Sequence, residues 1–194
     1  MCEENKEKRD FGPYTLQHRQ ALMKIAKESV KSAVIGQLHS SQESWPAELT
    51  QDAAAFVTLK KHGKLRGCIG HVTAVMPLFK CVDEMARAAA VNDTRFNPVL
   101  ESELENLDFE ISILTKPVTV KPEDVVVGKD GLIISQGGRS GLLLPQVPVE
   151  LRWTKEEFLA GTCRKAGLPL NCWRDAKTEI KAFRAIVFNE NDIL

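Results

Sequence analysis

The 194-residue sequence predicts an α+β fold in which mostly antiparallel sheets pack against helices. Three observations predict it. Two pairs of β-rich runs flank short glycine-bearing segments, the pattern of hairpins. One run alternates strictly, with Leu107, Phe109, Ile111 and Ile113 against Asp108, Glu110 and Ser112, as a half-buried strand does. Amphipathic helical stretches lie between these runs without the regular strand–helix–strand rhythm of a parallel sheet.

The first element is a helix over 14–38, with an apolar stripe at Leu16, Leu22, Ile25, Ala26, Ala33 and Val34. Thr15 is its expected N-cap and Gly36 marks its end. Residues 39–52, with Trp45-Pro46 inside, read as a loop. A ββαβ unit follows over 53–116. Its hairpin joins 55–59 to 65–70, with Gly63 in the turn. Its helix starts at Pro77, where the missing N–H costs nothing, and turns Leu78, Val82, Met85, Ala86 and Ala89 inward. Asn92-Asp93 ends that helix, and 107–113 is the third strand.

The segment from Lys116-Pro117 to Pro122-Glu123 is expected to cross between lobes. A second hairpin pairs 132–134 with 142–144. Thr154-Lys155-Glu156-Glu157 is a capping box that opens a helix over 155–166, stopped by Gly167 and Pro169. The last strand spans 180–188. The expected division is a larger lobe of 14–52 with 117–190, a smaller inserted lobe of 53–116, and a flexible segment over 1–13.

Composition narrows the function. Lys plus Arg and Asp plus Glu number 26 each, so no strongly basic nucleic-acid surface is expected overall. With 43% apolar residues the chain should bury a core. No apolar run approaches the roughly 20 residues of a membrane span, and the polar start lacks the apolar core of a secretory signal. The five cysteines (Cys2, Cys68, Cys81, Cys163 and Cys172) are odd in number and scattered, which predicts free thiols in a reducing cytoplasm. Neither they nor the four histidines have the spacing of a zinc site, and no metal or cofactor is expected.

The chemistry-bearing run is Leu65-Arg66-Gly67-Cys68-Ile69-Gly70. Strand alternation puts Arg66 and Cys68 on one face and Leu65, Gly67 and Ile69 on the other. A fixed positive charge beside a thiol favours the thiolate, so Cys68 is the candidate nucleophile and Arg66 its activator or an anion contact. The alternative is a small packed cysteine. Gly67 and Gly70 permit close approach of a substrate or of another backbone. His71 falls on the face opposite Cys68 unless the strand bulges. Glu110 is the candidate acid/base, or else part of a solvated face.

Arg95, in a polar loop, either binds an anionic group or closes a turn against Asp93. Gln136 to Gly141, with Arg139, resembles a phosphate loop only loosely, because it lacks the lysine and the following helix. Gln146, in Pro145-Gln146-Val147-Pro148, is expected to project from a strand end. Cys81, Cys163 and Cys172 read as packing residues.

The chain resembles the AMMECR domain family. The likeness is carried by Phe56 to Lys61, Leu65 to Gly70, Ala88-Ala89-Ala90 with Asp93, Arg95 and Phe96, Gly141 to Val147, and Cys163 to Leu168. It covers about 14–188. The resemblance implies a cytosolic two-lobed α+β protein associated with a Memo-like protein and a radical SAM protein, and implies no defined reaction.

Two functions remain open. One is an enzyme or enzyme component, with Cys68 reactive, Glu110 as acid/base, and Arg66, Gly67, Gly70, Arg95, Arg139 and Gln146 around an anionic small-molecule or nucleotide-like substrate. The other is a non-catalytic adaptor that positions the two partners. RNA binding is a third, weaker expectation at zero net charge.

Overall fold

The computed structural model describes residues 11–36 and 44–194. The expected helix end at Leu38 and residues 39–43 of the first expected loop lie outside the described residues. The chain divides into two compact units, Met1–Ile113 with Ile186–Leu194, and Leu114–Ala185.

In the first unit, helix α1 (Leu16–Ile35) starts at Thr15, whose hydroxyl accepts the His18 N–H, and ends at left-handed Gly36. Of the segment expected to be flexible, Phe11 is tied down. It packs against the core, and the Arg19 guanidinium lies 3.8 Å from its ring centroid. A short helix, α2 (Ala47–Thr50), stands inside the stretch expected to be loop and buries Leu49.

Strands β1 (Ala54–Lys61) and β2 (Lys64–Gly70) form the expected hairpin, turning through His62 and Gly63, both at positive φ. Helix α3 (Leu78–Val91) starts after Pro77 and buries all five residues expected to face inward. Strand β3 (Leu107–Leu114) alternates as expected. In the second unit, strand β4 (Val118–Thr119) pairs with Lys181 and Ala182 inside the segment expected to be a crossing. There β5 (Gly131–Gln136) and β6 (Arg139–Leu143) turn tightly through Gly137-Gly138. Helix α4 (Gln146–Glu150) is short, and α5 (Lys155–Lys165) carries both bonds of the predicted capping box.

The expected last strand is two strands, β7 (Glu179–Phe183) and β8 (Ala185–Asn189), in different sheets. The break is at Arg184. Its backbone N–H donates to Thr115 Oγ1, its C=O accepts the Thr115 N–H, and its guanidinium pairs with Asp130. The sheets run β2-β1-β3-β8 in the first unit and β4-β7-β5-β6 in the second.

The expected lobe boundaries are therefore corrected. Helix α1 packs on α3, and β8 joins the sheet of β1 to β3, so both belong with the ββαβ unit rather than with 117–190. The inserted piece is Leu114–Ala185, and its core gathers Leu132, Ile134, Phe158, Leu159 and Ile180. The expectation of free thiols is also corrected, because Cys163 and Cys172 form a disulfide. Gly167, at φ 69°, reverses the chain after α5 and brings the two Cα atoms to 6.1 Å, within disulfide reach. Cys68 and Cys81 are the free cysteines among the described residues.

Candidate functional site

The site is built on β2, an edge strand of the first sheet. Cys68 stands opposite Thr58, and Leu59 stands opposite Gly67, but Lys60 stands opposite Leu65. Arg66 therefore opposes no residue of β1: it is the extra residue of a β-bulge. A bulge re-aims its side chain, and strict alternation ends there. This is why the alternation expected across Arg66 does not hold, and why Leu65 leaves the face of Gly67 and Ile69.

The Arg66 guanidinium turns to the segment after α3. It meets both Glu103 carboxylate oxygens, at 3.2 and 2.9 Å, and donates to the carbonyls of Asn97 (2.8 Å) and Pro98 (3.2 Å). Lys61 Nζ and the Leu100 N–H also donate to Glu103. Those bonds, led by Arg66 and then Lys61, hold the Glu103 carboxyl well below the usual carboxylate range. Four of the five guanidinium hydrogens of Arg66 are engaged inside the protein.

A second carboxylate holds the backbone of Cys68. An edge strand presents unpaired N–H and C=O groups, which need partners when buried. Asp93, 6% exposed, accepts the Cys68 N–H at 2.8 Å. Arg95 pairs with both oxygens of Asp93, at 2.9 and 2.7 Å, and donates to the Cys68 carbonyl at 3.1 Å. Of the two expectations for Arg95, the structure contains the turn against Asp93. The Arg95 bonds, followed by the Cys68 N–H, push the Asp93 carboxyl far below its ordinary value. Asp93 first, and then the neighbouring Cys68, favour the charged form of Arg95.

With its backbone groups turned to the edge, Cys68 faces Thr58 in a non-hydrogen-bonded pair, where side chains stand closest. Thr58 Oγ1 lies 3.2 Å from the half-buried Cys68 sulfur. The Arg95 side chain is 55% exposed, with Nε and Nη2 turned to Asp93 and the Cys68 carbonyl and the guanidinium also beside the Cys68 thiol.

Both glycines of the motif admit parts of the protein. A Cβ on Gly67 would lie 2.1 Å from the Ala89 carbonyl oxygen of α3, and one on Gly70 would lie 2.3 Å from the Phe56 ring. The His71 N–H continues the pairing by donating to Ala55. Glu110 accepts Lys60 Nζ at 3.0 Å, on a strand separated from β2 by β1. Arg139 and Gln146 belong to the second unit. Arg139 donates to the Gly167 carbonyl at 2.8 Å, and Gln146 is exposed in the first turn of α4 rather than at a strand end.

Asp93, Glu103, Lys61 and Thr58 were missing from the sequence-based site. Thr58 could have been found from the hairpin register, but nothing in the Glu101-Ser102-Glu103-Leu104-Glu105 run singles out its middle carboxylate. Among the described residues no group of three or more His, Cys, Asp or Glu is arranged to hold a metal ion, and no helix is long and apolar enough to cross a membrane.

The AMMECR1 family model matches residues 23–188. The chain belongs to the AMMECR1 family. Among similar proteins, "Protein SSO0193" of Saccharolobus solfataricus is 45% identical over 182 residues, covering 87% of this chain and 80% of that one. A protein of Thermococcus onnurineus is 44% identical over 181 residues, covering 87% and 88%. The crystal structure of uncharacterized protein PH0010 from Pyrococcus horikoshii superposes with a TM-score of 0.72 at 41% identity, covering 87% of this chain and 89% of that one. The α+β fold is thus that of an AMMECR1-family protein known from a crystal.

The two depressed carboxyls set an acid limit on this unit. Their folded pKa values lie below the unfolded values of about 3.9 for Asp and 4.3 for Glu. Their stabilisation is fully present above those values and is lost as pH falls toward the folded ones. Thermal unfolding between pH 7 and pH 2 should show little change down to about pH 5 and a steepening loss below about pH 4. A Tm that is flat through pH 3 would refute the contribution of these pairs.

Proposed function

We propose that this AMMECR1-family protein is an enzyme component whose reactive group is Cys68, and that Arg95 receives an anionic group of a small-molecule or nucleotide-like substrate. The observation that carries it is the surround of the Cys68 sulfur. Cys68 is half-buried, with the Thr58 hydroxyl 3.2 Å from its sulfur and the half-exposed Arg95 guanidinium beside the thiol. Two carboxylate–guanidinium pairs fix the strand beneath it. Arg66 then acts as a positioning residue, and Glu110, held by Lys60, is our candidate for proton transfer on the same face. Work alongside Memo-like and radical SAM partners in the cytoplasm belongs to the same proposal and rests on the family resemblance.

Native-state alkylation, read by peptide mass spectrometry, tests it. Cys68 should react while buried Cys81 does not. Iodoacetate, which is anionic, should gain severalfold over neutral iodoacetamide relative to a free thiol, and Arg95→Gln should erase that gain while thermal unfolding confirms the fold. A Cys68 that reacts only on unfolding would sink the proposal.

The second reading is an adaptor without chemistry. It is favoured by the internal engagement of Arg66 and by the two glycines, which admit Ala89 and Phe56 rather than a ligand. An inert Cys68 in the same experiment would support it.

A further inference from the structure

Zero net charge conceals a division. Leu114–Ala185 carries twelve Lys and Arg against eight Asp and Glu, whereas the rest of the chain carries fourteen against eighteen. Within the second unit the excess gathers at one end. The tip of the β5–β6 hairpin is tied to the loop after α5 by Arg139 Nη1 donating to the Gly167 carbonyl and by Gln136 Nε2 donating to Asp175, each at 2.8 Å. Gly141 lets β6 meet the backbone of Lys165 and Ala166. The disulfide and the 3-10 turn Cys172–Arg174 bring the loop back against the end of α5.

This arrangement brings the segments that carry Arg139, Arg164, Lys165, Arg174 and Lys177, all exposed, to one end of the unit. Asp175 is the one acidic residue of 163–178 and accepts from Gln136 and the Lys177 N–H, while the next carboxylate, exposed Glu179 opposite Ser135, pairs with Lys181. None of the five makes a close carboxylate ion pair among the described residues, although the Lys177 charge helps to hold the Asp175 carboxyl low. In the first unit, Lys24, Lys27, Lys60, Lys61, Arg66, Arg87 and Arg95 all make such pairs.

Arg164 and Lys165 suit the last turn of a helix on their own account. That argument does not reach Arg139, Arg174 or Lys177. Beside them Trp173 is half-exposed, with the Arg174 guanidinium 4.6 Å from its ring centroid. Cations alone would suit any polyanion. An indole with a guanidinium over its ring, partly packed on the core of the unit and partly exposed, suits one that carries rings, because every nucleobase has a π-face to stack on it.

We propose that this end of the second unit binds single-stranded nucleic acid, with phosphates on the five cations and a base stacked on Trp173 and Arg174. The surface lies wholly within one unit and does not depend on Cys68.

Fluorescence anisotropy of the full chain with a labelled oligouridylate of ~12 nucleotides, and with oligodeoxythymidylate of equal length, tests it. Three to five phosphate contacts on a single strand predict a loss of about 20- to 100-fold in affinity between 50 and 200 mM salt. The Arg174→Glu, Lys177→Glu double variant should weaken binding at 50 mM salt by about tenfold or more, and Cys68→Ser should leave it unchanged. If the charge reversal disturbs folding, Arg174→Gln with Lys177→Gln should show a smaller loss of the same sign. No binding at 50 mM salt, or equal binding by the folded charge variants, would overturn the proposal. So would polyglutamate of equal length competing as well as the oligonucleotide, which would instead point to an acidic protein partner.

Discussion

Replacing Glu103 with glutamine is expected to destabilise the first unit by about 3 kcal/mol, the scale for removing one partner of a buried ion pair. Glu103 is 9% exposed and is the common acceptor for Arg66, Lys61 and the Leu100 N–H. Glutamine keeps the shape but removes the charge. Lys61 can recover hydration, since a third of its side chain is exposed; Arg66, at 16%, is far less able to do so. An uncompensated guanidinium beside the edge strand is the costly product. Urea unfolding should show a lower midpoint at unchanged slope. In a double-mutant cycle Arg66→Gln should cost much less once Glu103 is already changed. Additive losses would mean that the two residues do not act as a unit.

Gly67→Ala is the other large effect, expected at about 3 kcal/mol, the upper end of the usual cost of overpacking. The added methyl would lie 2.1 Å from the Ala89 carbonyl oxygen. A flexible side chain could swing away from such a clash, but a helix carbonyl cannot. Relief therefore needs α3, whose Val82, Met85 and Ala86 are buried in the same core, to back off from β2. Gly137→Ala is the control. No atom lies within 4 Å of its added Cβ, so only the positive φ is penalised, at about 1 kcal/mol. Similar Tm losses for both variants would refute the close-packing account of Gly67.

Local patterns were legible in the sequence where one residue type answers to one local cause. The capping box at Thr154, the stop at Gly167, the inward face of α3 and the alternation of β3 all appear as read. Periodicity tells which face of an element is apolar, but not which other apolar face it meets. For that reason the apolar stripe of α1 does not reveal that the helix packs on α3. The run over 180–188 reads as one strand because the break at Arg184 is made by Thr115 and Asp130, which are distant in sequence. The bulge at Arg66 has the same character. It is a property of the register between two strands, and it redirects the arginine that looked like the thiol's partner. Cys163 and Cys172 could not be paired from spacing, because their meeting depends on how the chain turns at Gly167.

The path of the chain between β3 and β8 has a bearing on how the protein folds. These strands are neighbours in the first sheet, yet the whole of Leu114–Ala185 lies between them in sequence. As an open loop, such a length would tax their pairing with the entropy of closing its ends. The inserted unit closes them itself, because Thr115 and Arg184 are bonded twice at its base, both at 2.8 Å. Its folding delivers β8 to within reach of β3, so the outermost strand of the first sheet should be the last to acquire protection from hydrogen exchange. A lesion that loosens only the insert should then unzip that strand while β1 to β3 stay protected.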